Sequence, residues 1–205
     1  MQELEHVHPP GRWTRGRLLG AAVAGGAVAA GGAALAGRGG AGTSVAAPSR
    51  DTDAQILNLF LLLEYVQQDF YRNAAEAGSL GGELARFAST VGTQEREHVA
   101  FLSKRLGSRA RARPRTDFDE RMTAPDGFRE AAVELEEAAI AAYVGQAANL
   151  TRGLIGNVAV LLSVEARQAA WIRSIAGVSP APRAADPARK PDDVIADLRR
   201  KGFIA

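Results

Sequence analysis

Four stretches of helical period each place a charged residue where that period requires the core. Between residues 84 and 102, Leu84, Ala88, Val91, Glu95, His98 and Leu102 follow one another in steps of 4, 3, 4, 3 and 4, the spacing of one inward helix face. Leu154, Val158, Leu161, Glu165, Gln168, Ile172 and Ile175 repeat the pattern in steps of 4, 3, 4, 3, 4 and 3. A third face runs Leu57, Phe60, Glu64, Gln67, Tyr71, inside a segment whose residues 59–63 are all apolar, and a fourth runs Phe128, Ala132, Glu136, Ala139, Tyr143. Each glutamate lies near the middle of its helix. Antiparallel packing therefore brings Glu64, Glu95, Glu136 and Glu165 to one level.

Four carboxylates in a dry core need a neutralising partner, because desolvation costs several kcal/mol per ion and like charges at close range add to it. Two divalent cations supply four positive charges; protons shared among the carboxyls are the alternative. The chain has no cysteine, so thiolate metal sites, disulfides and cysteine nucleophiles are all excluded. What remains is an oxygen and imidazole donor set, suited to iron, manganese or zinc. In the fourth face the run Leu135-Glu136-Glu137 leaves a one-residue ambiguity, which the 132, 136, 139, 143 spacing resolves toward Glu136. Glu97 and Glu137 then point outward as surface charge.

The secondary structure reads as helix throughout. Helix 1 is expected over about 53–77, capped by Asp51, Thr52 or Asp53 and ended by Gly78 to Gly82. Helix 2 follows over about 83–106 with Gly107 as its stop, helix 3 over about 127–149 and helix 4 up to about 176. A short last helix over about 192–201 packs Val194, Leu198 and Phe203 back onto the body. Residues 107–126 carry prolines and alternating arginines with no sustained period, so they form a long connection and a solvated basic surface. The expected fold is all-α: two antiparallel hairpins joined by one long crossover, a four-helix bundle over residues 51–176, and a Pro-rich tail with a short helix over 177–205. Lys and Arg number 25 against 23 Asp and Glu, a balance that gives no reason to expect nucleic acid.

Residues 1–50 differ from the rest. Arg12, Arg15 and Arg17 precede a run over 18–37 dominated by Ala and Gly, the pattern of an export signal. The order Thr14, Arg15, Gly16, Arg17, Leu18, Leu19 resembles a twin-arginine signal with Gly16 at the second arginine. Ala34-Leu35-Ala36 and Ser44-Val45-Ala46 are the candidate cleavage triplets, and cleavage at either leaves His98 as the only histidine. Retention of residues 18–37 as a membrane anchor is the alternative, although a span so rich in Gly is a weak transmembrane helix.

The segments at 53–72 (DAQILNLFLLLEYVQQDFYR), 95–102 (EREHVAFL), 134–146 (ELEEAAIAAYVGQ) and 164–173 (VEARQAAWIR) resemble an exported bacterial ferritin-like family that includes plant desiccation-related proteins. The resemblance spans about residues 51–176 and implies a ferritin-like bundle with a single Glu from each of two helices and a Glu-x-x-His from each of the other two. Glu64 and Glu136 match the single glutamates and Glu95 with His98 the first pair. After Glu165 the second histidine is replaced by Gln168, a weaker neutral ligand. The resemblance thus implies metal ligands Glu64, Glu95, His98, Glu136, Glu165 and Gln168. They would hold two irons, or a firm one at Glu64, Glu95 and His98 and a labile one at Glu136, Glu165 and Gln168, with bridging left open and Mn or Zn as alternatives. Oxidation of Fe(II) by dioxygen or peroxide is the implied chemistry. The competing expectation is a non-catalytic envelope or stress protein whose site has decayed at Gln168; a homodimer is also compatible with the pattern. Tyr71 and Tyr143, one heptad beyond Glu64 and Glu136, are expected chiefly as core packing.

Overall fold

The computed structural model describes residues 48–205, and the expectations placed on the N-terminal signal and its apolar run lie outside the described residues. The described chain forms helices α1 (Arg50–Ala77), α2 (Gly82–Leu106), α3 (Pro125–Gln146), α4 (Arg152–Ile175) and α5 (Pro191–Arg200). Among the described residues, extended pairing is confined to one isolated bridge between Thr116 and Ile204. None of these helices is long and apolar enough to cross a membrane.

Helix α1 begins earlier than its apolar period suggests. Ser49 is the cap, its Oγ accepting from the Thr52 amide at 3.1 Å. Asp53, expected as a cap, is instead buried. Its carboxylate accepts from the amide and hydroxyl of Thr151 at 2.9 and 2.7 Å. A residue at the start of α1 thereby fixes the residue that opens α4. At the other end, Gly78 (φ 65°) closes α1 and Gly107 (φ 57°) closes α2, both in the left-handed region that disfavours a Cβ. Helix α3 starts at Pro125, whose missing amide costs nothing in a first turn. It ends at Gln146, and the residues read as its last turn form a separate 3-10 turn, Ala147–Asn149.

Helix α1 packs along α2 and α3, and α4 along α3 and α2, so α1 and α4 are diagonal across the bundle. Aromatic rings fill the core at both sides of the mid-level. Phe60 stacks on Tyr143 at 4.0 Å and Phe70 on Phe128 at 5.1 Å, while Tyr71 meets Phe87 edge-on at 5.6 Å. Each such ring contributes about 1.5–3 kcal/mol through burial.

The crossover runs along α1 because α1 supplies it with partners. The buried Asn58 donates to the Arg109 carbonyl at 3.0 Å and accepts from the Arg111 amide at 2.8 Å. Arg113 lies over the Tyr65 ring at 4.3 Å and pairs with Asp69 at 2.7 Å. The basic stretch expected as free solvated surface is therefore partly spent on docking this connection. The C-terminal segment closes over the crossover in turn: Val194, Leu198 and Phe203 are buried, and Arg121 donates to the Lys201 carbonyl at 2.8 Å.

Candidate metal centre

Residues 64, 95, 136 and 165 all face the interior and are wholly shielded from solvent. Three of them converge on one nitrogen. His98 Nδ1 lies 3.2 Å from Glu64 Oε2, 3.2 Å from Glu95 Oε2 and 3.0 Å from Glu165 Oε1. One donor atom from each of Glu64, Glu95, His98 and Glu165 lies within 4.8 Å of the others. Ligands about 2.1 Å from one ion stand about 3 Å apart when adjacent and about 4.2 Å when opposite, so this spacing fits a single cation. Glu165, which the family resemblance groups with Glu136 and Gln168, stands here beside Glu64, Glu95 and His98.

The carboxylate oxygens turned away from His98 have their own partners. Glu64 Oε1 accepts from the Tyr143 hydroxyl, Glu95 Oε1 from Gln168 Nε2 at 2.7 Å, and Glu165 Oε2 from Gln67 Nε2 at 3.3 Å. Glu136 stands apart from the four, its Oε1 accepting from the Tyr71 hydroxyl. The two tyrosines thus cross between α1 and α3, each bonding the glutamate of the other helix. Gln168 also donates to Gln94 Oε1 at 3.1 Å, and Gln94 is half-buried at the seam between α2 and α4. His98 itself is 6% exposed.

The electrostatics show how the fold tolerates these groups. Burial drives Glu95 far above the usual carboxylate range, with the charges of Glu165 and Glu64 adding to it. Burial and the charge of Glu165 do the same to Glu136. Glu165 is pushed up to about 7, by burial first and the charge of Glu64 next. Glu64 moves the other way: burial opposes its ionisation, but bonds with Glu95, His98 and Tyr143 outweigh it and hold it below its ordinary value. For His98, burial disfavours the charge, yet bonds to Glu165, Glu64 and Glu95 prevail and raise it well above the ordinary imidazole range. The upward shifts of Glu95, Glu136 and His98 favour their protonated forms, which reduces the repulsion among the buried carboxylates.

A cation fits the same place. Glu136 Oε2, Gln67 Oε1 and Gln168 Oε1 are buried without a hydrogen-bond donor, and Glu165 Oε1 has only the ion pair with His98 at 3.0 Å. An unmade bond of this kind costs about 1–3 kcal/mol. A metal ion satisfies acceptors without adding another, and three carboxyls with one imidazole form a donor set for a divalent ion of intermediate hardness. Tyr71, Tyr143 and Gln67 are the contributors that sequence pattern alone undervalued. All three lie on inward faces, but their heptad positions do not say that their polar atoms end on carboxylates of other helices.

Two helical hairpins joined by a crossover, with buried glutamates and a histidine that can hold a metal at mid-height, define a helical-bundle protein of the carboxylate-site class. The chain belongs to the ferritin-like domain family, whose match covers residues 52–178. No curated protein matches the sequence.

Proposed function

We propose that this is an exported metal protein that takes iron at Glu64, Glu95, His98 and Glu165 and either oxidises Fe(II) or removes an oxidant. The observation that carries the proposal is the convergence of three buried carboxylates on His98 Nδ1 within 3.0–3.2 Å. Such a set has no role in packing that a hydrophobic residue would not fill better. Glu136, on the adjoining wall with Tyr71, is the carboxylate left for a second ion.

Iron held there would supply the electrons, one per Fe(II), for the reduction of dioxygen or peroxide. The protein's own share is to hold a compact negative site, exclude bulk water and manage protons. His98 and Glu95 must give up protons to bind a cation, and Glu165, poised at about 7, is placed to exchange one near neutral pH. Tyr143 and Tyr71 hold Glu64 and Glu136 by hydroxyl bonds. Outside the described residues, the arginines at 12, 15 and 17 and the Ala/Gly run that follows support export as the setting.

A second reading is a non-catalytic envelope or stress-associated bundle with a degenerate site. The bond from Gln168 to Glu95 favours it, because an amide stands where a histidine ligand is expected. The two readings separate in one experiment: anaerobic loading of the chain with Fe(II), then exposure to oxygen or peroxide while visible absorbance is followed. Oxidant-dependent absorbance that disappears in Glu95→Ala and His98→Ala supports the first reading. Metal content unchanged in both variants refutes it.

A further inference from the structure

We infer that Gln67 and Gln168 limit this centre to one firmly held ion, because neutral amides, and not further charged or imidazole ligands, face the carboxylate oxygens that a second ion would need. The inference rests on the metal-binding reading above and adds the number of ions and the residues that set it.

A carboxylate that bridges two cations offers one oxygen to each. In the cluster, each of the three carboxylates turns a single oxygen to His98. Glu64 Oε2, Glu95 Oε2 and Glu165 Oε1 face His98 Nδ1 at 3.2, 3.2 and 3.0 Å. The opposite oxygens are taken: Glu64 Oε1 by the Tyr143 hydroxyl, Glu95 Oε1 by Gln168 Nε2 at 2.7 Å and Glu165 Oε2 by Gln67 Nε2 at 3.3 Å. An N–H donor takes one lone pair of that oxygen and turns its partial positive charge toward any cation approaching the other, and the amides cannot simply turn round. Once a metal ionises Glu95 and Glu165, a reversed amide would set its carbonyl against a carboxylate oxygen.

The second position is also poor in charge. Gln67 lies against both Glu165 and Glu136, so the neighbourhood a second ion would enter offers one unshared carboxylate, Glu136, and neutral amide carbonyls. Glu136 is itself bonded to Tyr71 and outside the four-residue cluster. The first position offers three carboxylates and an imidazole. The donor sets therefore differ by two charges and a nitrogen, enough for one site to fill while the other stays open to water or protons. The two amides act as positioning residues as well: a hydrogen-bonded carboxylate ligand is held in one orientation, and loss of such a bond typically weakens metal binding about 10–100-fold.

The test uses the full chain loaded with Mn(II), counted by mass spectrometry after desalting and read by electron paramagnetic resonance, neither of which depends on turnover. The wild type is expected to retain one ion per chain with the six-line signal of an isolated Mn(II). Gln168→His, which replaces the blocking amide by a ligand, is expected to retain two with a spin-coupled spectrum. Gln67→Leu removes a donor without adding a ligand, so it should stay at one ion with affinity lowered at least about 10-fold. Two ions with a coupled spectrum in the wild type overturn the inference, and so does a helical Gln168→His variant that still holds one. A wild type retaining no ion refutes the metal-binding reading itself.

Discussion

Tyr143→Phe separates a tyrosine that fills space from one that holds a charge. The substitution keeps the ring stacked on Phe60 and removes only the hydroxyl that donates to Glu64. Glu64 is fully buried and held ionised by bonds from its neighbours, Tyr143 among them, against the cost of its burial. A hydrogen bond to a charged group is worth about 1.5–3 kcal/mol, and a bare phenyl ring replaces none of it. For a domain of this size 1 kcal/mol shifts the melting temperature by about 2–4 °C, so the metal-free variant should melt about 3–12 °C lower. Affinity for Mn(II) should fall about 10–100-fold, since Glu64 loses the bond that orients it. Differential scanning calorimetry of the metal-free chain, with and without the hydroxyl, is the assay. If packing were the whole role of Tyr143, the melting temperature would move by less than about 1 °C, a few tenths of a kcal/mol. A shift that small, with unchanged Mn(II) affinity, would refute the account of how Glu64 is held.

Other outcomes follow from the same geometry. Glu165 has a folded pKa of about 7 against 4.5 unfolded, so the folded chain binds more protons between those values and its stability falls as pH rises through them. The raised His98 has the same sign: its stabilisation is complete below 6.5 and declines above. Metal-free protein should therefore melt higher at about pH 5 than at about pH 8, whereas stabilisation by Mn(II), which must displace these protons, should grow over that range. A metal-free melting temperature that climbs steadily across the same range would contradict this. Asp53→Ala leaves the Thr151 amide and hydroxyl without their acceptor. It should cost about 1–3 kcal/mol and increase hydrogen exchange at the start of α4, while Mn(II) stoichiometry stays unchanged.

Much of this molecule is legible in its sequence because helices repeat. The 4, 3, 4, 3 and 4 steps through Leu84, Ala88, Val91, Glu95, His98 and Leu102 assign an inward face without reference to any neighbour. Gly78 and Gly107 mark ends for reasons internal to the backbone, whereas Pro125, read as part of the connection, opens α3 two residues before its expected start. The boundary at Ser49 is less visible, since a cap is polar and lies outside the apolar period. Asp53 reads as a cap because its type suits one, and nothing local reveals that Thr151 claims its carboxylate.

What the sequence by itself determined is which residues face inward and at what height: Glu64, Glu95, His98, Glu136, Glu165 and Gln168 each lie on an apolar seam near mid-helix. Tertiary structure alone decided how they are shared out. Periodicity fixes the rotation of a side chain about its own helix axis but not which oxygen it turns to which neighbour across the bundle. That choice depends on the diagonal placement of α1 and α4 and on side-chain torsions set by packing. Glu165 therefore joins Glu64, Glu95 and His98, while Glu136 turns to Tyr71. The amides of Gln67 and Gln168 take oxygens on helices 98 and 73 residues away along the chain.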